Sequence, residues 1–258
     1  SGDDGKTFLA KQSFHYPMHL SKAHWDGNHL IINVVNSTAG LFAGDNVQMD
    51  VRVCRGGRAV LTSPSATRVF RAKDSVAATQ VTQTYFVEGG GRLEVLPEMF
   101  IPHSGARYGQ ATKIEIQEGG ELFFTEIIAP GRTASGESFE YRELEFGIDL
   151  ILAGRLAVRE CFRLTPDSEG VRAIRKDFPN AYFASSYFVA NRPADNFLRA
   201  IGALHGPTVF AGATLPAANV HCVKLIARDS LSLRAAITAV RSLGYAYLGW
   251  PCPILRKL

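Results

Sequence analysis

The chain has 258 residues, 46% of them hydrophobic and 20% charged, with 28 Lys and Arg against 24 Asp and Glu for a net charge of +4. Length alone sets an expectation of one or two domains with a real core, and this composition excludes global disorder. The charge excess is too small to hold nucleic acid or an anionic membrane by bulk electrostatics, and no apolar run approaches the roughly 20 residues of a membrane span.

The opening Ser1–Gly5 carries none of the basic and apolar regions of a signal peptide, so a cytoplasmic location is expected. Beyond it, a period of two dominates the first two thirds of the chain. Val47, Met49, Val51 and Val53 alternate with Gln48, Asp50 and Arg52, as in a half-buried strand. Similar short runs are predicted at 29–35, 58–62, 66–71, 79–87, 92–96, 112–117, 121–128, 139–151 and 156–164, most of them separated by turns such as Arg55-Gly56-Gly57, Glu88-Gly89-Gly90-Gly91 and Glu118-Gly119-Gly120. Strands of this length and spacing argue for a sandwich, a barrel or a β-solenoid rather than βαβ units.

Helical periodicity comes late. Pro193 to Leu204 places Phe197, Ile201 and Leu204 on one stripe, and Asp229 or Ser230 can cap a helix whose Leu233, Ile237, Val240 and Gly244 line one face, with Arg234 and Arg241 on the other. Strands are expected between these helices, at 208–213 and 220–227. No low-complexity linker interrupts the chain, so the expectation is one domain over 1–258, a β-rich body (1–190) followed by a basic part (191–258) with two helices.

Charge is unevenly spread. From Asn191 onward eight basic residues face two acidic ones, whereas Glu115 to Asp149 holds nine acids against Arg132 and Arg142. Several acids sit inside apolar strands: Glu126 within Leu122–Ile128, and Glu160 within Leu156–Phe162. A carboxylate buried there without a partner costs several kcal/mol or takes a proton, so these groups should be paired, bind a cation or line a wet passage. The four cysteines, Cys54, Cys161, Cys222 and Cys252, are too scattered for a metal or redox pair and are read as reduced thiols in or near the core.

Catalytic signatures fail on chemical grounds. The glycines at 40 and 44 are followed by Asp45 where a phosphate cradle needs Lys, and Thr133-Ala134-Ser135-Gly136-Glu137 lacks the first Gly of a nucleophile elbow, leaving Ser135 a turn serine. Glu126, Glu137 and Glu160 could still supply the paired acids of a β-solenoid carbohydrate hydrolase. His15, His19, His24 and His29 crowd the N-terminal region without completing a metal site, and His103, near Glu98, is the better placed histidine for a polar interior.

Four blocks then carry a resemblance. Asn36-Ser37-Thr38-Ala39-Gly40-Leu41-Phe42-Ala43-Gly44-Asp45, Gly57 to Arg71, Leu93-Glu94-Val95-Leu96-Pro97-Glu98 and Glu126 to Glu137 resemble, in order, segments of the urease accessory protein UreD (UreH) family. The resemblance implies an irregular β-solenoid with two helices, acting as a non-catalytic urease maturation factor. It also implies that UreF-like and UreG-like proteins are joined on the urease apoprotein, as a dimer within the accessory complex, with nickel in transit through a polar channel and no tightly bound cofactor. By motif position Asp45, Glu126 and Glu160 would line the nickel path, with Thr67, Glu98, His103 and Glu137 as polar neighbours. The basic part, through Arg234 and Arg241, is expected to meet the UreF-like partner. A module that only bridges partners stays open beside this reading.

Overall fold

A computed structural model describes residues 5–71 and 77–255. In chain order its strands are β1 (Met18–Leu20), β2 (His24–Asp26), β3 (His29–Asn36), β4 (Asn46–Val53), β5 (Arg58–Thr62), β6 (Thr67–Val69), β7 (Thr79–Val87), β8 (Arg92–Leu96), β9 (Phe100–Pro102), β10 (Arg107–Ile116) and β11 (Glu121–Ile128). Then come β12 (Glu143–Leu152), β13 (Arg155–Leu164), helix α1 (Glu169–Asp177), β14 (Tyr182–Val189), α2 (Asp195–Gly202), β15 (Val209–Ala217), β16 (Val220–Ala227) and α3 (Ser230–Leu248).

The strands form two sheets. The larger runs β1-β3-β5-β8-β11-β14-β16-β15, with β2, β6 and β9 beside it, and the smaller runs β13-β12-β10-β7-β4. Neighbours β3, β5, β8 and β11 are parallel, and so are β4, β7, β10 and β12. The chain therefore crosses from one sheet to the other and back. The three glycine turns are the crossings at one end: Gly56, Gly90 and Gly119 all take φ between 73° and 78°, a region glycine enters without penalty. They stack on one another, with the Gly90 amide donating to the Gly119 carbonyl at 2.9 Å and Glu121 N to Gly91 O at 2.9 Å.

Two apolar layers result. One fills the space between the sheets, through Leu93, Val95, Leu122, Phe124, Tyr85 and Ile114, and continues toward the other strand ends through Phe100, Tyr108, Ile128, Leu144 and Phe146. The other lies between the large sheet and the helices, where Phe123, Phe188, Leu233, Ile237, Val240 and Tyr245 meet. The predicted face of α3 is thus the buried one, and the Asp229 carboxylate caps it by accepting from Ser232 N at 2.7 Å. Since β14, β15 and β16 extend the sheet that β3 begins, the basic part shares its sheet with the β-rich body.

The chain is mainly β, as expected, but several elements escape the sequence pattern. Strand β14, Tyr-Phe-Ala-Ser-Ser-Tyr-Phe-Val, is covered on both faces and has no polar alternation to read. Helix α1 is short and largely polar, with Val171 and Ile174 as its only large apolar residues, so its two-residue stripe is too brief to stand out in the sequence. The cysteine expectation needs correction: all four are free, yet only Cys222 is buried, and Cys54, Cys161 and Cys252 are exposed. Cys161 occupies an outward position of β13, between the inward Glu160 and Phe162, and the other two follow strand or helix ends.

Candidate functional site

Along β11 the side chains of Leu122, Phe124 and Glu126 point between the two sheets. Glu126 is 7% exposed. Its Oε1 accepts a hydrogen bond from Gln110 Nε2 at 2.6 Å; the same amide donates to Thr112 Oγ1 at 3.1 Å, and Tyr108 OH donates to Gln110 Oε1 at 2.7 Å. The other oxygen, Oε2, is buried with no hydrogen-bond partner. Burial pushes the Glu126 carboxyl up to about 7, the positive Lys224 and the Gln110 bond pull against that shift, and the negative Glu160 adds to it. Near neutral pH the group is poised between its charged and neutral forms.

From Glu126 a row of polar side chains leads outward. Strand register sets Glu126 opposite Ser185 of β14 and Ser185 opposite Lys224 of β16. Lys224 Nζ forms an ion pair with Glu160, which reaches in from β13, and donates to Ser185 Oγ at 2.9 Å and Tyr187 OH at 3.2 Å. Tyr187 OH donates to the second Glu160 oxygen at 2.9 Å. The Lys224 and Glu160 side chains are 41% and 28% exposed, so this end of the row reaches water where β13 ends one sheet and β16 nears the end of the other.

Inward, the row stops against rings. Phe100 and Tyr108 lie 4.5 Å apart between centroids, Tyr108 and Phe146 5.4 Å, and Phe100 and Phe146 5.5 Å. Beyond this layer come the loops that hold most of the other expected residues. Asp45 is half-buried in a turn, where its carboxylate accepts from Phe42 N at 2.8 Å. Thr67 begins β6 opposite Phe100, and Glu98, next to β9, pairs with Arg234 at 3.2 Å. The His103 ring lies 4.2 Å from that of Phe70, its Nε2 buried without a partner. Burial holds the imidazole below its ordinary value, helped by the Arg132 charge and opposed by Glu137. Glu137 pairs with Arg132, which holds its carboxyl low, and accepts from Ser104 N at 3.2 Å.

The structure thus unites Glu126 with Glu160 and leaves Asp45 apart from both. It also shows how the sequence blocks meet. Leu41 N donates to Arg68 O, Phe70 N to Leu41 O, His103 N to Val69 O and Ala129 N to Phe100 O, all within 2.9 Å. A Cβ at Gly40 would stand 2.5 Å from the Arg68 carbonyl oxygen, so the close approach of the first block to the second requires glycine. Arg241 differs from expectation in kind. It faces the sheet, binds Glu94 through Nε at 2.7 Å and Nη2 at 3.1 Å, and has a side chain only 15% exposed, leaving little of it for a partner. Arg234, 58% exposed, remains at the surface.

A profile of the UreD urease accessory protein matches residues 1–256. A urease accessory protein UreD from Opitutus terrae is 36% identical over 244 residues, covering 92% of this chain and 88% of its own. The chain belongs to the UreD family. Two further UreD proteins are each 30% identical: one from Anaeromyxobacter sp. over 220 residues, 81% of this chain and 67% of its own, and one from Acetivibrio thermocellus over 173 residues, 66% and 65%. In this UreD-family chain, no three His, Cys, Asp or Glu side chains converge to hold a metal ion among the described residues. No helix among them is long and apolar enough to cross a membrane. Sequence reasoning missed Gln110, Ser185, Tyr187 and Lys224. Lys224 carried the same signal as Glu126, a charge inside an apolar strand (Val220-His221-Cys222-Val223-Lys224-Leu225-Ile226), but the others become visible only through cross-strand register.

Proposed function

We propose that this chain is a cytoplasmic, non-catalytic urease maturation factor that joins UreF-like and UreG-like proteins on the urease apoprotein, as a dimer within that complex, and takes part in nickel delivery. In this reading the repeated crossing between parallel-stranded sheets is a short β-solenoid, and nickel is cargo that engages the polar row from its open edge. The observation that carries the reading is the buried, unpartnered Oε2 of Glu126, at the inner end of a row lined by oxygen donors. Oxygen ligands suit a hard or borderline divalent ion held weakly, whereas a closed Cys and His site would trap it. Asp45, Thr67, His103 and Glu137, on the far side of the aromatic layer, belong in this reading to the end that the partners approach. Arg234 is the exposed cation of the basic part offered to the UreF-like protein.

One observation favours the plainer reading of a module that only bridges partners: the rings of Phe100, Tyr108 and Phe146 stand between Glu126 and the loop of Asp45. The two readings part in one experiment. In a urease-positive strain lacking this gene, Glu126→Ala and wild type are compared for urease activity, recovery of the accessory complex and nickel per complex. The conduit reading expects Glu126→Ala to assemble normally and activate poorly. Full activation by Glu126→Ala would remove the conduit and leave the bridge. A hydrolase reading gains nothing here, since Glu126 is buried rather than set in an open groove, and Glu137 and Glu160 are each tied to a basic residue.

A further inference from the structure

We propose that Lys224 is a tethered cation that fills the outer position of the Glu126 row at rest and must swing out for a divalent metal ion to enter. The inference deepens the conduit reading and rests on it. Facing Lys224 are Glu160 from β13, Ser185 and Tyr187 from β14 and Cys222 from its own strand; behind it are Glu126 from β11, Gln110 and Thr112 from β10 and Tyr85 from β7. Among the described residues, Lys224 is the basic side chain bonded within this group, and its Nζ already holds the oxygens of Glu160, Ser185 and Tyr187 that an arriving ion would use.

Two features distinguish a gate from a permanent structural pair. The Lys224 side chain is 41% exposed, so it can exchange protein oxygens for water, and partly exposed ion pairs of this kind contribute little to stability. The pairing is also incomplete, because Lys224 satisfies Glu160 while Glu126 Oε2 stays unmet. With Lys224 in place, its ammonium cancels one of the two carboxyl charges and occupies the oxygens of Glu160, Ser185 and Tyr187, so a second cation meets a weakened field and filled ligands. With Lys224 in solvent, the carboxyls and the neutral oxygens of Ser185 and Tyr187 are left for an ion of charge +2. The chain's own ammonium thereby keeps the row empty until a divalent ion outcompetes it.

The test uses the full chain and Ni2+ alone. By calorimetric titration, Lys224→Gln should bind one Ni2+ at least about tenfold more tightly than wild type, about 1.4 kcal/mol, and Lys224→Gln/Glu160→Gln should lose that gain. Binding by folded Lys224→Gln no tighter than wild type overturns the gate; the conduit would still stand or fall on the activation assay of Glu126→Ala. A second arm needs no variant. In the wild-type chain, acetylation of the Lys224 amine, read by mass spectrometry, should rise severalfold when Ni2+ saturates the site, and labelling unchanged by Ni2+ also overturns the proposal.

Discussion

The two faces of the large sheet each bury a glutamate, and they treat it in opposite ways. On the helix side Glu94, 1% exposed, meets the forked guanidinium of Arg241 and the hydroxyl of Tyr245, with Arg241 tied in turn to the Pro253 carbonyl at 3.1 Å and to Cys252 Sγ at 3.2 Å. On the inter-sheet side Glu126 receives one amide hydrogen bond, has its counter-charge at the outer end of a row, and keeps one oxygen without a partner. A fully neutralised carboxylate fastens α3 to the sheet and has no valence left for a ligand. A half-satisfied one is pushed by burial to about 7 and remains able to take a proton or a cation. Burial alone therefore does not mark a functional acid; the count of unfilled acceptors does.

The largest effect expected from this contrast lies on the helix side. Arg241→Ala would leave the Glu94 carboxylate buried and uncompensated, a loss of about 3 to 5 kcal/mol in typical cases. Urea denaturation should show the midpoint falling accordingly, and a loss below about 1 kcal/mol would mean that Glu94 is not the fixed partner the geometry describes.

How much of this was legible beforehand follows from what each element buries. Strands at 58–62, 79–87, 92–96 and 121–128 show their limits in the sequence because one face or both are apolar and a glycine turn or a proline closes most of them. Glu126 and Glu160 stood out as charges in apolar strands, and their closeness was a matter of topology: β11 and β13 lie in different sheets and face each other only because the chain crosses between sheets. Arg241 was misplaced for a related reason. The α3 pattern puts it on the polar side of the helix, but its long side chain reaches past Tyr245, its guanidinium 4.8 Å from that ring, to a glutamate 147 positions earlier. Glu94 itself carries a signal, one acid in the apolar run Leu93-Glu94-Val95-Leu96, but its partner Arg241 lies too far along the chain for that run to name it.

The inter-sheet face predicts an intermediate effect with a definite sign. The Glu126 carboxyl titrates near 7 in the folded chain against an ordinary 4.5, so the folded state holds a proton that the unfolded chain has already released. Its contribution to stability is complete below about pH 4.5 and is lost as pH rises through 7, in total of order 3 kcal/mol. Glu126→Gln keeps an acceptor for Gln110 and cannot ionise. It should match wild type near pH 4.5 and exceed it by about 3 kcal/mol at pH 8, as read from denaturation midpoints across that range. Parallel pH profiles for the two proteins would show that the carboxyl is not desolvated as described.

The smallest effect separates folding from docking. Arg234 pairs with Glu98 across the same helix-to-sheet gap that Arg241 bridges, but its side chain is 58% exposed, against 15% for Arg241. Water reaches Arg234 freely but little of Glu98, whose side chain is 11% exposed, so Arg234→Ala should cost about 1 kcal/mol, where Arg241→Ala costs several. That difference makes Arg234→Glu a clean probe of the basic part. The reversed side chain, itself exposed, can turn away from Glu98 into solvent, the chain should still fold, and any loss of binding to a UreF-like protein then tests the proposed interface. A fall in the denaturation midpoint as large as that of Arg241→Ala would place Arg234 with the structural pair and withdraw it from docking.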